Sequence, residues 1–353
     1  MPLAGRHLVI GAAVAMLAIA VHQRAMSADP AVPTLLSDTG LFGEPSAVRG
    51  PQSFSPQYPL WTDGASKRRW VSLPEGTTID VSDPDRWEFP DGTRFWKEFA
   101  FNGRKVETRL LWKRDGEWTF AAYAWNDAQT DATLVPESGL TTDVEVAPGR
   151  RHRIPSTAEC RACHVSGRTE VLGFTALQLS TDRDPGALHA EPLTDDMVTL
   201  RTLVNEGRLT PVRADWLTTP PRIDAPDAHT RTVLGYLSTN CGSCHNAASE
   251  IATLTLDLKS TLARPAPCPA SLATTLDRTG RWEVPRAPAG TSRRIAPGHA
   301  DLSTIVARMR SRSPSSQMPP LGTVVVDERA VALLTEWIEA DAATWDARRP
   351  GCL

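Results

Sequence analysis

Residues 93–125 read TRFWKEFAFNGRKVETRLLWKRDGEWTFAAYAW. Three runs rich in aromatic and branched residues, 93–101, 105–112 and 118–125, are separated by Asn102-Gly103 and Asp115-Gly116. Both dipeptides take the positive φ values of tight hairpin turns, so the stretch predicts a meander of antiparallel strands. Residues 68–73 and 77–81 add two earlier strands, divided by Pro74-Glu75-Gly76. Closure into an antiparallel β sandwich or partly open barrel is expected. Seven of the eleven Trp residues fall in this half: Trp61, Trp70, Trp87, Trp96, Trp112, Trp118 and Trp125. Their indoles are assigned to its core and rim, because a small sheet needs large apolar groups to bury. An aromatic carbohydrate site is the other reading of them.

Working outward, Arg6 and His7 precede an uncharged run over 8–21. It is too short to cross a bilayer core of ~30 Å comfortably and suits the apolar region of a signal peptide. Ala25, Ser27 and Ala28 set cleavage near 25–28. Residues 1–28 are therefore expected to be a signal peptide, and the mature chain to be periplasmic. No later run reaches the ~18 apolar residues of a membrane helix, so no membrane span is expected after cleavage.

Beyond Gly149 the pattern changes to amphipathic stretches with Pro-rich connections. Residues 194–206, with Met197, Leu200, Leu203 and Val204 at helical spacing and Thr194 as N-cap, predict a helix, as do 230–238 and 329–341. Residues 211–226 are Pro-rich and read as a linker. All six Cys lie in this half. Cys160-Arg161-Ala162-Cys163-His164 and Cys241-Gly242-Ser243-Cys244-His245 have the CxxCH spacing of c-type haem attachment. Two thiols three residues apart can each add to one haem vinyl group, and the next imidazole then reaches the iron. Zinc would pair both CxxC units into one four-ligand site and leave the two His residues unexplained. Two covalently attached haem c groups are expected, with His164 and His245 as axial ligands of the iron.

Met318, within Gln317-Met318-Pro319-Pro320-Leu321-Gly322, is the expected distal ligand of the second haem, its soft thioether favouring ferrous iron. Met309 reads as a core residue of an apolar-periodic stretch. For the first haem the sixth-ligand candidates are Met197, His152, His189 and His229, with Met197 entered as the choice. Cys268 and Cys352 remain, and in an oxidising compartment one disulfide between them is the economical reading.

The architecture expected from these signals is multidomain β + α. Residues 29–150 form a Trp-rich antiparallel β domain, 151–225 a first haem module and 226–353 a second, both modules mainly α-helical and cytochrome c-like. The 353 residues are 41% hydrophobic and 22% charged, which argues against disorder. A formal charge of −3 gives no basic excess, so nucleic acid is not expected as a partner.

The pattern resembles an uncharacterised family of exported bacterial dihaem c-type cytochromes in which a Trp-rich β domain precedes the haem region. The resemblance rests on Leu41-Phe42, Pro59 to Ala65 with Lys67 and Arg69, Gly92-Thr93 with Lys97 and Phe99, and Glu107 to Leu111. It continues through Leu172-Gly173, Gln178-Leu179, Gly235 to Asn240 and Met318 to Gly322, spanning about residues 40–345. This chain has Ser238-Thr239-Asn240 where Asp-Val-Asn would lead into the second motif. The resemblance implies haem-based electron transfer.

A periplasmic cytochrome acting in single-electron transfer between redox partner proteins is thus the leading functional expectation. The alternatives are a peroxidase-like dihaem oxidoreductase with an open first iron, and a haem protein whose β domain binds a partner or glycan. No Ser/His/Asp set or Gly-rich phosphate loop competes with these.

Overall fold

Asn102 and Gly103 adopt φ of 50° and 78°, and Asp115 and Gly116 adopt 51° and 82°. Both expected hairpins therefore form with positive φ at the two central residues, the geometry that matches strand twist. The computed structural model describes residues 32–43, 50–165, 169–262 and 268–344. The signal peptide expected over 1–28 and Cys352 lie outside the described residues.

The first ten strands run in chain order: β1 (Gln52–Ser53), β2 (Ser66–Ser72), β3 (Ile79–Asp83), β4 (Arg86–Glu88), β5 (Arg94–Phe101), β6 (Arg104–Arg114), β7 (Glu117–Trp125), β8 (Ala132–Leu134), β9 (Leu140–Ala147) and β10 (Arg150–Ile154). Helices α1 (Thr157–His164) and α2 (Leu200–Asn205) follow, then β11 (Leu209–Thr210) and α3 (Asp215–Thr218). The chain continues with α4 (Ala228–Asn240), α5 (Ala270–Ala273), α6 (Thr304–Arg310) and α7 (Glu328–Ala340).

Six strands form one sheet in the order β1-β2-β5-β6-β7-β8, with β11-β3-β4 and β10-β9 as smaller sheets. Cross-strand partners share a face, so the register sorts the side chains. Trp70, Trp96 and Leu110 align on one face. The segment around Leu36–Thr39 covers them: Leu36 is buried, and Trp96 Nε1 donates to Thr39 Oγ1 at 2.9 Å. On the opposite face Phe95 aligns with Leu111 and Val71, and Lys97 with Arg69 and Arg109.

The apolar end of that second face carries the core. Val71 and Phe95 pack with Ile79, Val81 and Trp87 of the three-stranded sheet and with Phe174, Leu179, Val198 and Leu200. Phe95 meets Phe174 at 5.1 Å and Phe89 at 5.2 Å between ring centroids. Each fully buried side chain of this size contributes about 1.5–3 kcal/mol.

This packing overturns the expected fold class. Among the described residues only α4 and α7 reach 13 residues, and the other five α-helices have eight or fewer. The protein is mainly β, without two α-helical cytochrome modules. The apolar residues of 171–216 bury against the sheet instead of against helices of their own, and Leu209 extends the small sheet beside Ile79. The six-stranded sheet stays open among the described residues, so no barrel closes, and the three-stranded sheet packs on its apolar face through Ile79, Val81 and Trp87.

Two local expectations shift as well. The helix predicted over 194–206 begins at Leu200 with Thr199 as its cap, because Val198 is drawn into a bridge with Phe54. Within the predicted linker, Trp216 stacks on Trp87 at 6.2 Å.

In the C-terminal part α4, α6 and α7 share a core that includes Leu234, Met309, Leu334 and Trp337. Tyr58 enters this core from the N-terminal half. A Cβ on Gly235 would fall 2.1 Å from the Tyr58 ring, so only glycine lets α4 approach so closely.

Candidate functional site

Asp227 caps α4 by accepting a hydrogen bond from the Thr230 amide at 2.7 Å, and the helix runs directly into Cys241. Backbone bonds from Cys244 and His245 to the Cys241 carbonyl, at 3.1 and 2.8 Å, then wind the second CxxCH motif into a tight turn. Gly242 is required there, since a Cβ would meet the Ser238 carbonyl oxygen at 2.5 Å.

Cys241, Cys244 and His245 line a cleft of about 1010 Å³, its open mouth included. Met318, 73 residues beyond His245, lines the same cleft, together with Pro319 and Pro320. The Met318 amide donates to the Arg308 carbonyl at 3.0 Å, and Arg308 Nε donates to the Ser316 carbonyl, so α6 anchors the methionine loop. Met309 lines the cleft from α6 but is buried in the helical core.

Burial, with the charges of Arg308 and Arg294 behind it, lowers the His245 pKa and keeps its imidazole neutral. Its buried Nδ1 has no hydrogen-bond partner, and burial pushes the Cys241 thiol up to about 12. An apolar cleft with the unionised Cys241 thiol, a second thiol at Cys244, a neutral imidazole and a facing thioether fits a covalently attached haem.

Trp61, Tyr236 and Asp327 complete this cleft; Trp61 and Tyr236 fall in segments that carry the family resemblance, whereas no sequence signal singles out Asp327. The Trp61 amide donates to Asn240 Oδ1 at 2.8 Å, fixing the N-terminal segment to the end of α4. Tyr236 donates to Asp327 Oδ2 at 3.1 Å, and His189 Nε2 lies 2.9 Å from the same oxygen. His189 thus belongs beside the second cleft. His229 is held by Asp341 at 2.7 Å.

The first motif lies on α1. Ser156 and Glu159 form a reciprocal capping box at its start, and Arg153 pairs with Glu159. His164 packs on Phe120 at 5.2 Å between centroids. Its Nδ1 lies 2.5 Å from the Glu170 carbonyl oxygen, which can only accept, so Nδ1 carries the proton and Nε2 keeps its lone pair. Burial is the main cause that pushes the imidazole down to about 4, with Lys97 and Arg109 adding to it. This chemistry, too, fits a haem ligand.

The two motifs meet. Cys163 hydrogen-bonds with Cys244, and that bond is the largest cause raising the Cys163 pKa. Cys160, Cys163, Cys241 and Cys244 are all free thiols. Among the described residues no three His, Cys, Asp or Glu side chains gather as a metal-ion site, so the four thiols do not form one tetrahedral zinc set. Cys268 is disulfide-bonded, and its expected partner Cys352 is outside the described residues.

Met197 occupies the turn ahead of Val198, at the apolar end of the sheet core. His152 instead joins the charged end: its Nε2 is 3.0 Å from Glu107 Oε1, whose carboxylate also binds Arg109 at 2.6 Å. Burial raises the Glu107 pKa, but the Arg109 charge and the hydrogen bonds outweigh it and hold the carboxyl below its usual range. Arg109 in turn lies near Cys160 and Cys163, and its charge works against the causes that raise both thiols.

Lys67, Arg69 and Lys97 stand in the same neighbourhood. Burial lowers the Lys67 pKa to about 8, and Lys97 is driven well down by burial and by Arg69, Lys67 and Arg109. Sequence alone assigns no role to this charged group, although Lys67, Arg69, Lys97 and Phe99 stand among the residues that carry the family resemblance.

Compared with known proteins, the chain matches no family model, no curated protein and no solved structure.

Proposed function

We propose that the chain is a periplasmic dihaem c-type protein that passes single electrons between redox partner proteins. One observation carries the reading: Cys241, Cys244 and His245 share an apolar cleft with Met318, the thioether that its Pro-flanked loop and soft-donor chemistry had nominated as their counterpart. A covalently held haem supplies an iron that takes up and releases one electron at a time. Cys160 and Cys163 would hold one such group and Cys241 and Cys244 the other, each thiol adding across a vinyl double bond. His164 presents Nε2 because Glu170 occupies Nδ1. Tyr236, hydrogen-bonded to Asp327, and Trp61, tied to Asn240, brace the cleft wall against Met318.

The contact between Cys163 and Cys244 supports a relay, since it joins the two attachment motifs directly. The test is to export the full chain alongside haem-attachment machinery and measure its intact mass and pyridine haemochrome spectrum. Two covalent haems per chain are expected. A colourless protein holding one zinc ion would overturn the reading.

A further inference from the structure

Lys67 and Arg69 of β2, Lys97 of β5 and Arg109 of β6 gather around Phe99 on one face of the six-stranded sheet. Lys67 Nζ lies 5.9 Å, Lys97 Nζ 4.9 Å and the Arg109 guanidinium 4.3 Å from the Phe99 ring centroid. The carboxylates in this group are already engaged. Glu107 binds Arg109 at 2.6 Å and His152 at 3.0 Å, and Glu191 binds Arg69 at 3.1 Å. Asp63 also bears on Lys67, but one of its oxygens accepts from the amides of Val324 and Val325 at 2.8 and 3.0 Å.

Donors are left over. Lys67 Nζ bonds the Ala65 carbonyl at 3.0 Å, and among the described residues Lys97 pairs with no carboxylate. Arg69 Nη2 is buried without any acceptor. Lys67 and Arg69 are only 7% and 6% exposed. Buried like charges are costly unless an opposite charge joins them, and a set of surplus cationic donors is complementary to a carboxylate.

We propose that this cluster is a carboxylate-binding site in which Lys67, Arg69 and Lys97 receive the ligand's oxygens above the fully buried Phe99 ring. The site adjoins the first motif, since Lys97 and Arg109 both bear on His164. Its carboxylate has two sources: a propionate of a haem held at Cys160 and Cys163, or a free dicarboxylate. The first source rests on the function proposed above, and the second does not.

Two arms separate them, using the exported full chain with its bound groups and the variants Lys97→Gln and Lys67→Gln, with Lys97→Arg as the charge-retaining control. In one arm, redox-difference infrared spectra are taken with haem carrying ¹³C at its propionates. A shifted label-sensitive carboxylate stretch in both Gln variants, restored in Lys97→Arg, assigns the site to the haem. In the other, succinate is titrated calorimetrically into the same proteins. Binding by the parent that weakens roughly tenfold in each Gln variant, as loss of one charge-assisted bond predicts, assigns the site to a free dicarboxylate. A protein without haem would refute the proposed function yet leave the succinate arm to decide this one. Unshifted stretches, or no haem, together with no charge-dependent succinate binding would overturn the proposal.

Discussion

Cys163 and Cys244 stand within hydrogen-bonding reach of one another, although 81 positions separate them in the chain. The two attachment motifs are therefore parts of one neighbourhood, reached from α1 on the sheet side and from the end of α4 on the helical side. In full-length chain made without haem, mild oxidation with diamide should join these sulfurs, each thiol losing its proton as diamide takes the electron pair. Peptide mapping is expected to find a Cys163–Cys244 bridge. Closing a loop of this length stabilises the fold by up to about 4.5 kcal/mol in the chain-entropy model, visible as a raised denaturation midpoint. Bridges confined to Cys160–Cys163 and Cys241–Cys244 would contradict the meeting of the motifs.

Met318 and Met309 line the same cleft, and their surroundings assign them different work. Met318 sits in a loop anchored to α6, whereas Met309 is buried among Leu234, Leu334 and Trp337. In the haem-loaded protein Met318→Ala should abolish the weak sulfur-to-iron band at the red end of the ferric spectrum with little loss of stability. Met309→Ala should keep the band and cost about 2–5 kcal/mol by leaving a cavity. Absorption spectra and urea titrations of the two variants check the division, and loss of the band in Met309→Ala would reverse it.

Among the sixth-ligand candidates, His152 is linked to the first motif through Glu107 and Arg109. Glu107 holds its Nε2, and the same carboxylate grips Arg109, which bears on Cys160 and Cys163. Its buried Nδ1 has no partner. His152→Ala should change the ferric spin state of the first haem in electron paramagnetic resonance, and Met197→Ala should not. The opposite pair of results would return the role to Met197.

What the sequence displayed and what it hid divide along the range of the interactions. The hairpins at Asn102-Gly103 and Asp115-Gly116 follow from local turn chemistry and period-two alternation, so they were legible. The second cleft was half legible: two motifs and a Pro-flanked Met318 announce themselves, while Trp61 and Asp327 arrive from distant segments. The buried or half-buried setting of Lys67, Lys97 and Arg109 depends on neighbouring strands and on segments distant in the chain, which no strand-level pattern encodes. Val171, Phe174 and Leu179, for which no element was expected, overturn the fold class for the same reason, since their place in the core is decided by the sheet that receives them.

Glu107 gives this charged interior a pH signature. It is fully buried between Arg109 and His152, and these partners hold its pKa below the usual glutamate value. A carboxylate whose folded pKa is depressed contributes stability that is complete above the unfolded value of about 4.3 and is lost as pH falls through the folded value. Urea midpoints should therefore fall on acidification below about pH 4, with this group contributing to the slope. Glu107→Gln should flatten that part of the acid limb, because the neutral amide cannot titrate. At neutral pH the same variant should be destabilised by roughly 3–5 kcal/mol, since Arg109 would keep its charge without its carboxylate. Denaturation series from pH 3 to 8 on parent and variant test both effects, and an unchanged acid limb in Glu107→Gln would show that Glu107 is not the titrating group.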